Sequence, residues 1–345
     1  MHKALAMTLV IENCLFNTQF YVRFWEYNTP INASTHRLCR IKWNMVDITS
    51  KHNSYRTACA RAVVEASRAE TIDAVKQKSV PKGDVLEAGR IAAMFAIKQT
   101  ASVIPHCHPL AVEYANVDYA IGRTEITITV EVRAVSKTGV EVEAMHGAAV
   151  AALTLYDMLK PIDKGLKISA IELVSKKGGK SDYANSYPKY LKAAVIVCSD
   201  SISAGKGSDR SGKLIEQTLA GYGLEVRPPV VIPDEAAKIR EKVMSLCGSN
   251  DMIVLTGGTG LSPRDVTPET IRALLDREIP GIMETARHYG SDRMPFSMLS
   301  RSVAGFRGKT MILTLPGSAS GARDYMNALF PQVMHAFNIV KGVLH

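Results

Sequence analysis

Met252-Ile253-Val254-Leu255-Thr256-Gly257-Gly258-Thr259-Gly260-Leu261-Ser262-Pro263-Arg264-Asp265-Val266-Thr267-Pro268 is the stretch on which the reading of the fold turns. Its opening apolar run reads as a strand buried on both faces, as in a parallel sheet. Its close reads as a helix start, with Thr267 as the cap and Pro268 at the first helical position, where a missing N–H costs nothing. Between the two, Gly257, Gly258 and Gly260 let backbone N–H groups approach an anion with no Cβ in the way. Asp265, at the far side, is suited to a metal ion that neutralises phosphate charge. Neither common nucleotide loop is present. The Lys-Ser/Thr close of a P-loop is missing, and Pro263 stands where a dinucleotide fingerprint needs its third glycine. A tight turn alone would account for the glycines; Arg264 and Asp265 beside them favour an anion site.

Outward from this stretch the pattern is α/β. Ala193 to Cys198 reads as a strand ending at Ser199-Asp200-Ser201, and Ser211 to Gly221 as a helix stopped by glycine. Leu224 to Ile232 reads as a strand ending at Pro233-Asp234-Glu235, followed by a helix from Ala236 to Cys247. Thr310 to Leu315 reads as a late strand ending at Pro316-Gly317-Ser318, and Ala322 to Val340 as the last helix. Such alternation predicts a three-layer α/β domain with a mostly parallel sheet and its ligands at the carboxyl ends of the strands. Asp200, Asp234, the Thr256–Gly260 loop and Gly317 all fall at such ends.

The first half has a different texture. The polar stretch 183–192 reads as a linker between domains at 45–182 and 193–345, consistent with a 345-residue chain, since single cores rarely grow past about 250 residues. Helices are expected over Ala58 to Ala66, Glu70 to Lys78 and Val85 to Lys98. Ile104 to Leu110 is a Pro-bracketed connection, and Ala111 to Ala120 with Glu125 to Val135 alternate as a hairpin pair. Glu141 and Glu143 are expected on one side of a strand, and Ala144 to Leu159 forms a long helix bringing Asp157 and Lys160 one turn apart. Strands followed by a helix imply an α+β domain. Residues 1–44 hold both tryptophans and no clean period; they read as a weakly ordered extension or a misassigned start, with Met45 the real beginning.

Composition narrows the function classes. The apolar fraction is 46% and the charged fraction 22%, ordinary for a globular protein, and no apolar run approaches the roughly 18 residues of a membrane span. The formal charge of +9 is dispersed, without a basic arm or aromatic-rich strand, which argues against nucleic acid and suits small phosphorylated ligands. The six cysteines form no CxxC pair, so neither a disulfide framework nor a structural zinc site is indicated, and a reducing cytoplasm is. His106-Cys107-His108 suggests zinc, but its flanking prolines and the absence of a second ligand pair argue against it.

In the first domain Lys82, His108, Glu141, Glu143, Asp157, Lys160, Lys176 and Lys180 are polar residues in apolar or glycine-flanked settings. Lys176-Lys177-Gly178-Gly179-Lys180 reads as a flexible basic loop able to wrap a phosphate. Asp157 and Lys160 fit a proton-transfer pair, although such an i,i+3 pair is also an ordinary surface ion pair. Together with Lys82-Gly83-Asp84-Val85-Leu86, Ile104 to Leu110, Thr138 to Ala144, Leu155-Tyr156-Asp157-Met158 and Gly178-Gly179-Lys180-Ser181, this constellation resembles the cyclic pyranopterin monophosphate synthase, or MoaC, family. The resemblance implies a ferredoxin-like α+β fold, a hexamer built of dimers with sites at the dimer interfaces, and no cofactor. It also implies conversion of 3′,8-cyclo-7,8-dihydro-GTP to cyclic pyranopterin monophosphate with loss of pyrophosphate. Asp157 and Lys160 then look like the catalytic pair, and Lys82, Cys107, His108, Glu141, Glu143, Lys176 and Lys180 like substrate-binding residues. His106 replaces an apolar residue of the family pattern, and Lys177 and Asp182 alter the basic loop.

Ser199-Asp200-Ser201, Asp209 to Gly212, Pro233-Asp234-Glu235, Thr256 to Gly260, Arg264 to Pro268, Pro280-Gly281, Leu299-Ser300-Arg301 and Leu315-Pro316-Gly317 resemble the MogA and MoaB family of molybdopterin adenylyltransferases. The implied reaction moves AMP from Mg-ATP to the terminal phosphate of molybdopterin in a trimer-forming domain. Asp234 and Asp265 are then catalytic and metal-side carboxylates. Ser199, Asp200, Thr256, Gly257, Gly258, Thr259, Gly260, Ser300, Arg301, Pro316 and Gly317 are the substrate-binding candidates. A bifunctional homo-oligomer, trimer or hexamer, is expected; a pterin-binding scaffold with an inactive C-terminal domain is the alternative.

Overall fold

A computed structural model describes residues 7–10, 21–24, 44–179, 182, 187–188 and 190–342. The expected weak order of residues 1–44 falls largely outside these. Within them, β1 (Met7–Val10) and β2 (Tyr21–Phe24) pair antiparallel.

The first domain runs β3 (Ser54–Glu65), α1 (Ala69–Lys76), α2 (Val85–Lys98), α3 (Thr100–Val103), β4 (Tyr114–Ile121), β5 (Glu125–Ser136), α4 (Glu141–Leu159) and β6 (Lys167–Lys177). The four strands form one antiparallel sheet in the order β4-β5-β3-β6, an α+β arrangement. Ala58 to Ala66, expected as a helix, is instead strand. Alanine favours a helix locally, but Ala58, Ala60, Ala62 and Val64 alternate into the core with a period of two, and pairing on both edges decides. Glu141 and Glu143, expected on a strand, open α4. The Val-Glu alternation there imitates a strand, yet residues two apart on a helix point to different sides. Lys176 and Lys177 belong to edge strand β6 rather than to a loop, which starts at Gly178 with φ +93°. Lys180 and half of the expected linker lie outside the described residues.

α4 lies on the sheet and against α2 through small residues. Ala144, Gly147, Ala148, Ala151 and Ala152 are buried, and a Cβ on Gly147 would stand 2.7 Å from Ile97. The helices approach closely there because at these positions α4 itself offers nothing larger than a methyl, which leaves room for Ile97 of α2.

The second domain runs β7 (Lys192–Cys198), α5 (Asp200–Ser203), α6 (Ser211–Gly221), β8 (Glu225–Val226), β9 (Val230–Ile232), α7 (Ala236–Leu246), β10 (Met252–Thr256), α8 (Thr267–Arg272), β11 (Arg277–Glu278), α9 (Pro280–Ser291), β12 (Ala304–Arg307), β13 (Thr310–Leu315), α10 (Ala319–Leu329) and α11 (Ala336–Val340). The sheet order is β11-β12-β13-β10-β7-β8, with β9 also on β7. β13, β10, β7, β8 and β9 pair in parallel, whereas β11 and β12 add an antiparallel edge, so the sheet is mostly parallel. One core cluster holds Val195, Val254 and Leu313, and another holds Ile196, Ile253 and Ile312, so each central strand is buried on both faces.

Three expected elements differ. Leu224 to Ile232 is two short strands, because Pro228 and Pro229 lie between them and cannot donate to a ladder. The last helix breaks at Pro331, which lacks the N–H, and resumes through a 3₁₀ turn (Gln332–His335). Val266, not Thr267, precedes the first turn of α8, so Thr267 is helical and its hydroxyl is used elsewhere. Among the described residues no helix is long and apolar enough to cross a membrane.

The tight α4 seam predicts that Ala148→Leu overpacks the first core, costing about 1–3 kcal/mol. Urea unfolding of the first domain's transition, followed in the full chain, checks this.

Candidate active sites

At the carboxyl end of α4, Asp157 faces two ammonium groups. Lys160, the helix C-cap, places Nζ 2.7 Å from Asp157 Oδ1. Lys82, in the turn before α2, donates to Asp157 Oδ2 at 2.7 Å and to its main-chain carbonyl at 2.9 Å. The hydrogen bond from Lys160, then that from Lys82, hold the Asp157 carboxyl down at about 2. The same contact raises Lys160 above the ordinary lysine value. All three groups are solvent-accessible. The resting state is therefore a carboxylate bridging two ammonium ions, with the protons on nitrogen.

At the other end of α4 a second cluster forms. Glu143 is 2% exposed; its Oε1 accepts from Cys107 Sγ at 3.3 Å and its Oε2 is buried without a partner. Burial raises the Glu143 carboxyl, and burial followed by Glu143 pushes the Cys107 thiol up to about 11. Cys107 is thus a neutral donor rather than a nucleophile. Glu141 pairs with Lys176 of β6 at 3.3 Å. His108 Nε2 lies 2.8 Å from the Val46 carbonyl, which can only accept, so this nitrogen carries a proton. Cys107 and His108 therefore turn to different partners and do not converge as metal ligands.

The two clusters are not one pocket within a single chain. Glu143 and Asp157 are 14 residues apart on one helix, which at 1.5 Å per residue separates them by about 21 Å. The sequence groups these residues; the fold divides them between the two ends of a rod.

In the second domain the strand ends do meet. β7, β10 and β13 are in register so that Val197, Thr256 and Leu315 form one row. Just beyond, Gly257 has φ +105°, and a Cβ there would stand 2.1 Å from the Cys198 carbonyl oxygen; Gly317 would bring one within 3.2 Å of Gly257 Cα. Gly258 has φ +62°, and a Cβ there would meet Asp234 Oδ1 and Thr267 Oγ1 at 2.4 Å. Thr256 Oγ1 donates to the Pro316 carbonyl at 2.7 Å, joining the two turns.

Asp234, Asp200 and Asp265 surround this loop. The Asp234 N–H donates to Asp200 Oδ1 at 3.0 Å, Thr267 Oγ1 lies 3.4 Å from Asp234 Oδ1, and Ser262 N–H donates to Asp265 Oδ2 at 2.9 Å. Burial, then the charges of Asp265 and Asp200, push Asp234 up to about 6. Arg264, 3.6 Å from Asp200, is a weak counterweight. Ser199 caps α5 by accepting from the Ile202 N–H at 3.4 Å. Arg301 is committed to the loop: its N–H and Nε donate to the carbonyls of Thr259 (3.0 Å) and Gly260 (2.7 Å), Nη2 donates to Asp265 O (2.7 Å), and it pairs with Glu269. Ser300 bonds Ser302 at 2.9 Å. The sequence offers Thr267 only as a cap, which it is not, and gives no sign of Glu269; only the fold reveals their contacts to Asp234 and Arg301.

Two matches follow the same division of the chain. The MoaC family matches residues 45–179, and a family described as a probable molybdopterin binding domain matches residues 194–335. A molybdenum cofactor biosynthesis bifunctional protein of Chlorobaculum tepidum is 40% identical over 302 residues, covering 87% of this chain and 96% of the relative. A cyclic pyranopterin monophosphate synthase of Nitratidesulfovibrio vulgaris is 48% identical over 139 residues, covering 40% of this chain and 86% of the relative. The solved structure of the molybdopterin biosynthesis enzyme MoaB from Thermus thermophilus is 42% identical, with a TM-score of 0.41, covering 44% of this chain and 97% of that one. Fold and family matches together define a fusion of a MoaC domain with a probable molybdopterin binding domain. The chain belongs to the family of molybdenum cofactor biosynthesis bifunctional proteins.

The raised carboxyl of Asp234 carries a prediction. Its charged form opposes folding, fully above about pH 6, and the penalty fades as pH falls toward the unfolded value of 3.8. Asp234→Asn, which keeps an acceptor for Thr267, should raise the melting temperature of the second domain at pH 7. The gain should shrink as pH drops from 6 to 4, which calorimetry across that range checks.

Proposed function

We propose that the first domain converts 3′,8-cyclo-7,8-dihydro-GTP to cyclic pyranopterin monophosphate and pyrophosphate, and that the second transfers AMP from Mg-ATP to molybdopterin. The observation that carries the first reading is the Lys82–Asp157–Lys160 clamp. It holds an ionised carboxylate between two proton-bearing lysines; Asp157 keeps Lys160 charged and aimed, and Lys160 can give its proton once a ligand has drawn Asp157 away from it. Glu143 supports it from the other end: a buried carboxyl with one oxygen unpaired suits the N–H donors of a guanine or pterin ring. Lys176 and Glu141 flank that oxygen-rich end, where a phosphorylated ligand would exchange partners with their ion pair.

A chain whose two clusters stand about 21 Å apart needs a second copy to complete a site. We read the first domain's β-α-β-β-α-β order as ferredoxin-like and its assembly as a dimer, or a hexamer of such dimers, in which the Asp157 end of one protomer meets the Glu143 end of its partner. The trimer expected of the second domain is compatible with threefold symmetry in that hexamer.

For the second domain, burial and then the charges of Asp265 and Asp200 make Asp234 resist ionisation, and with only Arg264 set against Asp200 the three carboxylates around the glycine loop leave a surplus of negative charge. A magnesium ion fits this surplus: Asp234 and Asp265 would hold it, with water and ATP phosphates in its other positions. Among the described residues no three His, Cys, Asp or Glu side chains are grouped closely enough to hold a metal ion by themselves. When bound, the ion neutralises phosphate charge, while the loop N–H groups orient the phosphates and Arg301 keeps the loop in shape. Domains at 45–182 and 193–345, a linker at 183–192 and a cytoplasmic location complete the proposal.

Asp157→Asn should lower pyranopterin formation by at least about 10² with adenylylation unchanged, and Asp265→Asn the reverse; separate assays on the full chain decide, and unchanged turnover would refute the role concerned. Completion by a second copy has its own check. Asp157→Asn and Glu143→Gln chains, each inactive, should regain about a quarter of wild-type pyranopterin formation when unfolded and refolded together, because half the dimers then carry one intact site. No recovery would refute a shared site.

A further inference from the structure

The stretch from Val46 to His52, just ahead of β3, lies between the two domains. Its second half is tied to the C-terminal domain. Tyr289 of α9 donates its hydroxyl to the Ser50 carbonyl at 2.9 Å, and Arg293 donates Nη2 to the Thr49 carbonyl at 2.6 Å. His52 Nε2 lies 3.2 Å from the Asn327 carbonyl on α10 and, facing an acceptor, donates. The His52 ring stands 4.6 Å from that of Tyr289, and the Arg293 guanidinium sits 3.4 Å from the Tyr289 ring centre. Tyr289 is itself buried, so these groups are anchored in the second core.

The segment is stiff. Asp47 Oδ1 accepts from both the N–H and the hydroxyl of Thr49, at 2.8 and 2.7 Å, and the Lys51 N–H closes a turn onto the Ile48 carbonyl at 3.0 Å. At its start the Val46 carbonyl accepts a hydrogen bond from His108 Nε2. A displacement at Thr49 or Ser50 therefore reaches His108, whose Nδ1 is the nitrogen left for a ligand. Beside the segment a cleft of about 410 Å³ is shared between the domains. Thr138, Gly139, Glu141 and Gly178 line it on one side, and Asn327 and Phe330 on the other.

We propose that the C-terminal domain positions the substrate end of the first domain's site, with Tyr289 and Arg293 acting on His108 through the locked Val46–His52 segment. This rests on the reading of the His108–Glu143 end as the place where the cyclised dihydro-GTP binds. The second module is then not a passenger: it helps fix an imidazole that belongs to the first reaction.

The test uses the full chain with Tyr289→Phe, which removes one hydroxyl and keeps the ring, combined with Arg293→Gln. The expected result is a KM for cyclised dihydro-GTP raised roughly three- to tenfold, with kcat within about twofold of wild type and adenylylation unchanged. Restoring Arg293 in the Tyr289→Phe background should recover part of the loss. Unchanged KM, or equal losses in both activities, would overturn the proposal. Absence of pyranopterin formation by the wild-type chain would instead refute the reading of the first domain, so the two failures are distinguishable.

Discussion

The parallel register of β7, β10 and β13 is the constraint on which the second domain depends. It levels Val197, Thr256 and Leu315, so the turns that follow them leave the sheet at one height. Ladder pairing lets the Gly257 N–H reach the Leu315 carbonyl at 3.2 Å, while Cys198 O closes the space where a side chain would stand. With no room for side chains, the backbone itself lines the cradle, and the carboxylates of Asp200, Asp234 and Asp265 have to gather around it. A slip of one residue along β10 would turn its side chains to the opposite face and scatter this arrangement.

The domains solve opposite electrostatic problems. In the first, Asp157 already has two counter-ions, so its charge is satisfied before any ligand arrives, and a ligand must exchange partners to engage it. In the second, Asp234 has too few: burial first, and then the neighbouring charges of Asp265 and Asp200, make it reluctant to ionise. The former arrangement suits a site that uses protons already in place. The latter suits the proposed recruitment of a cation together with a nucleotide.

How much of this could be read along the chain depended on how local the causes were. The helix from Val85 to Lys98 carries its own apolar period, which was legible, while its cap at Asp84 emerges from the fold. The glycine loop and the strand from Thr310 to Leu315 were legible as well. β3 was not, because alanine's local preference for a helix is reversed only by neighbours on both sides, β5 and β6, which lie far away in sequence. Glu141 and Glu143 misled for the converse reason: a strand-like alternation of Val and Glu lies at the start of a nineteen-residue helix. The candidate residues of the first site were all visible as residue types, but their division between two ends of α4 is a matter of length and rise, which no motif records. Arg301 likewise carries a recognisable place in a motif, while its hydrogen bonds to the loop backbone appear only in three dimensions.

The crowding at Gly257 and Gly258 sets a limit on how the second site could ever be retuned. Both positions have positive φ and meet backbone or carboxylate oxygen where a first side-chain carbon would go. Their geometry belongs to the protein's own folding, whatever the loop binds. Variation in ligand preference is left to Leu261, Ser262 and Arg264, which are exposed on the outer arc of the same loop. The site is thus a rigid frame with an exchangeable rim, and redesign of its selectivity should begin at the rim.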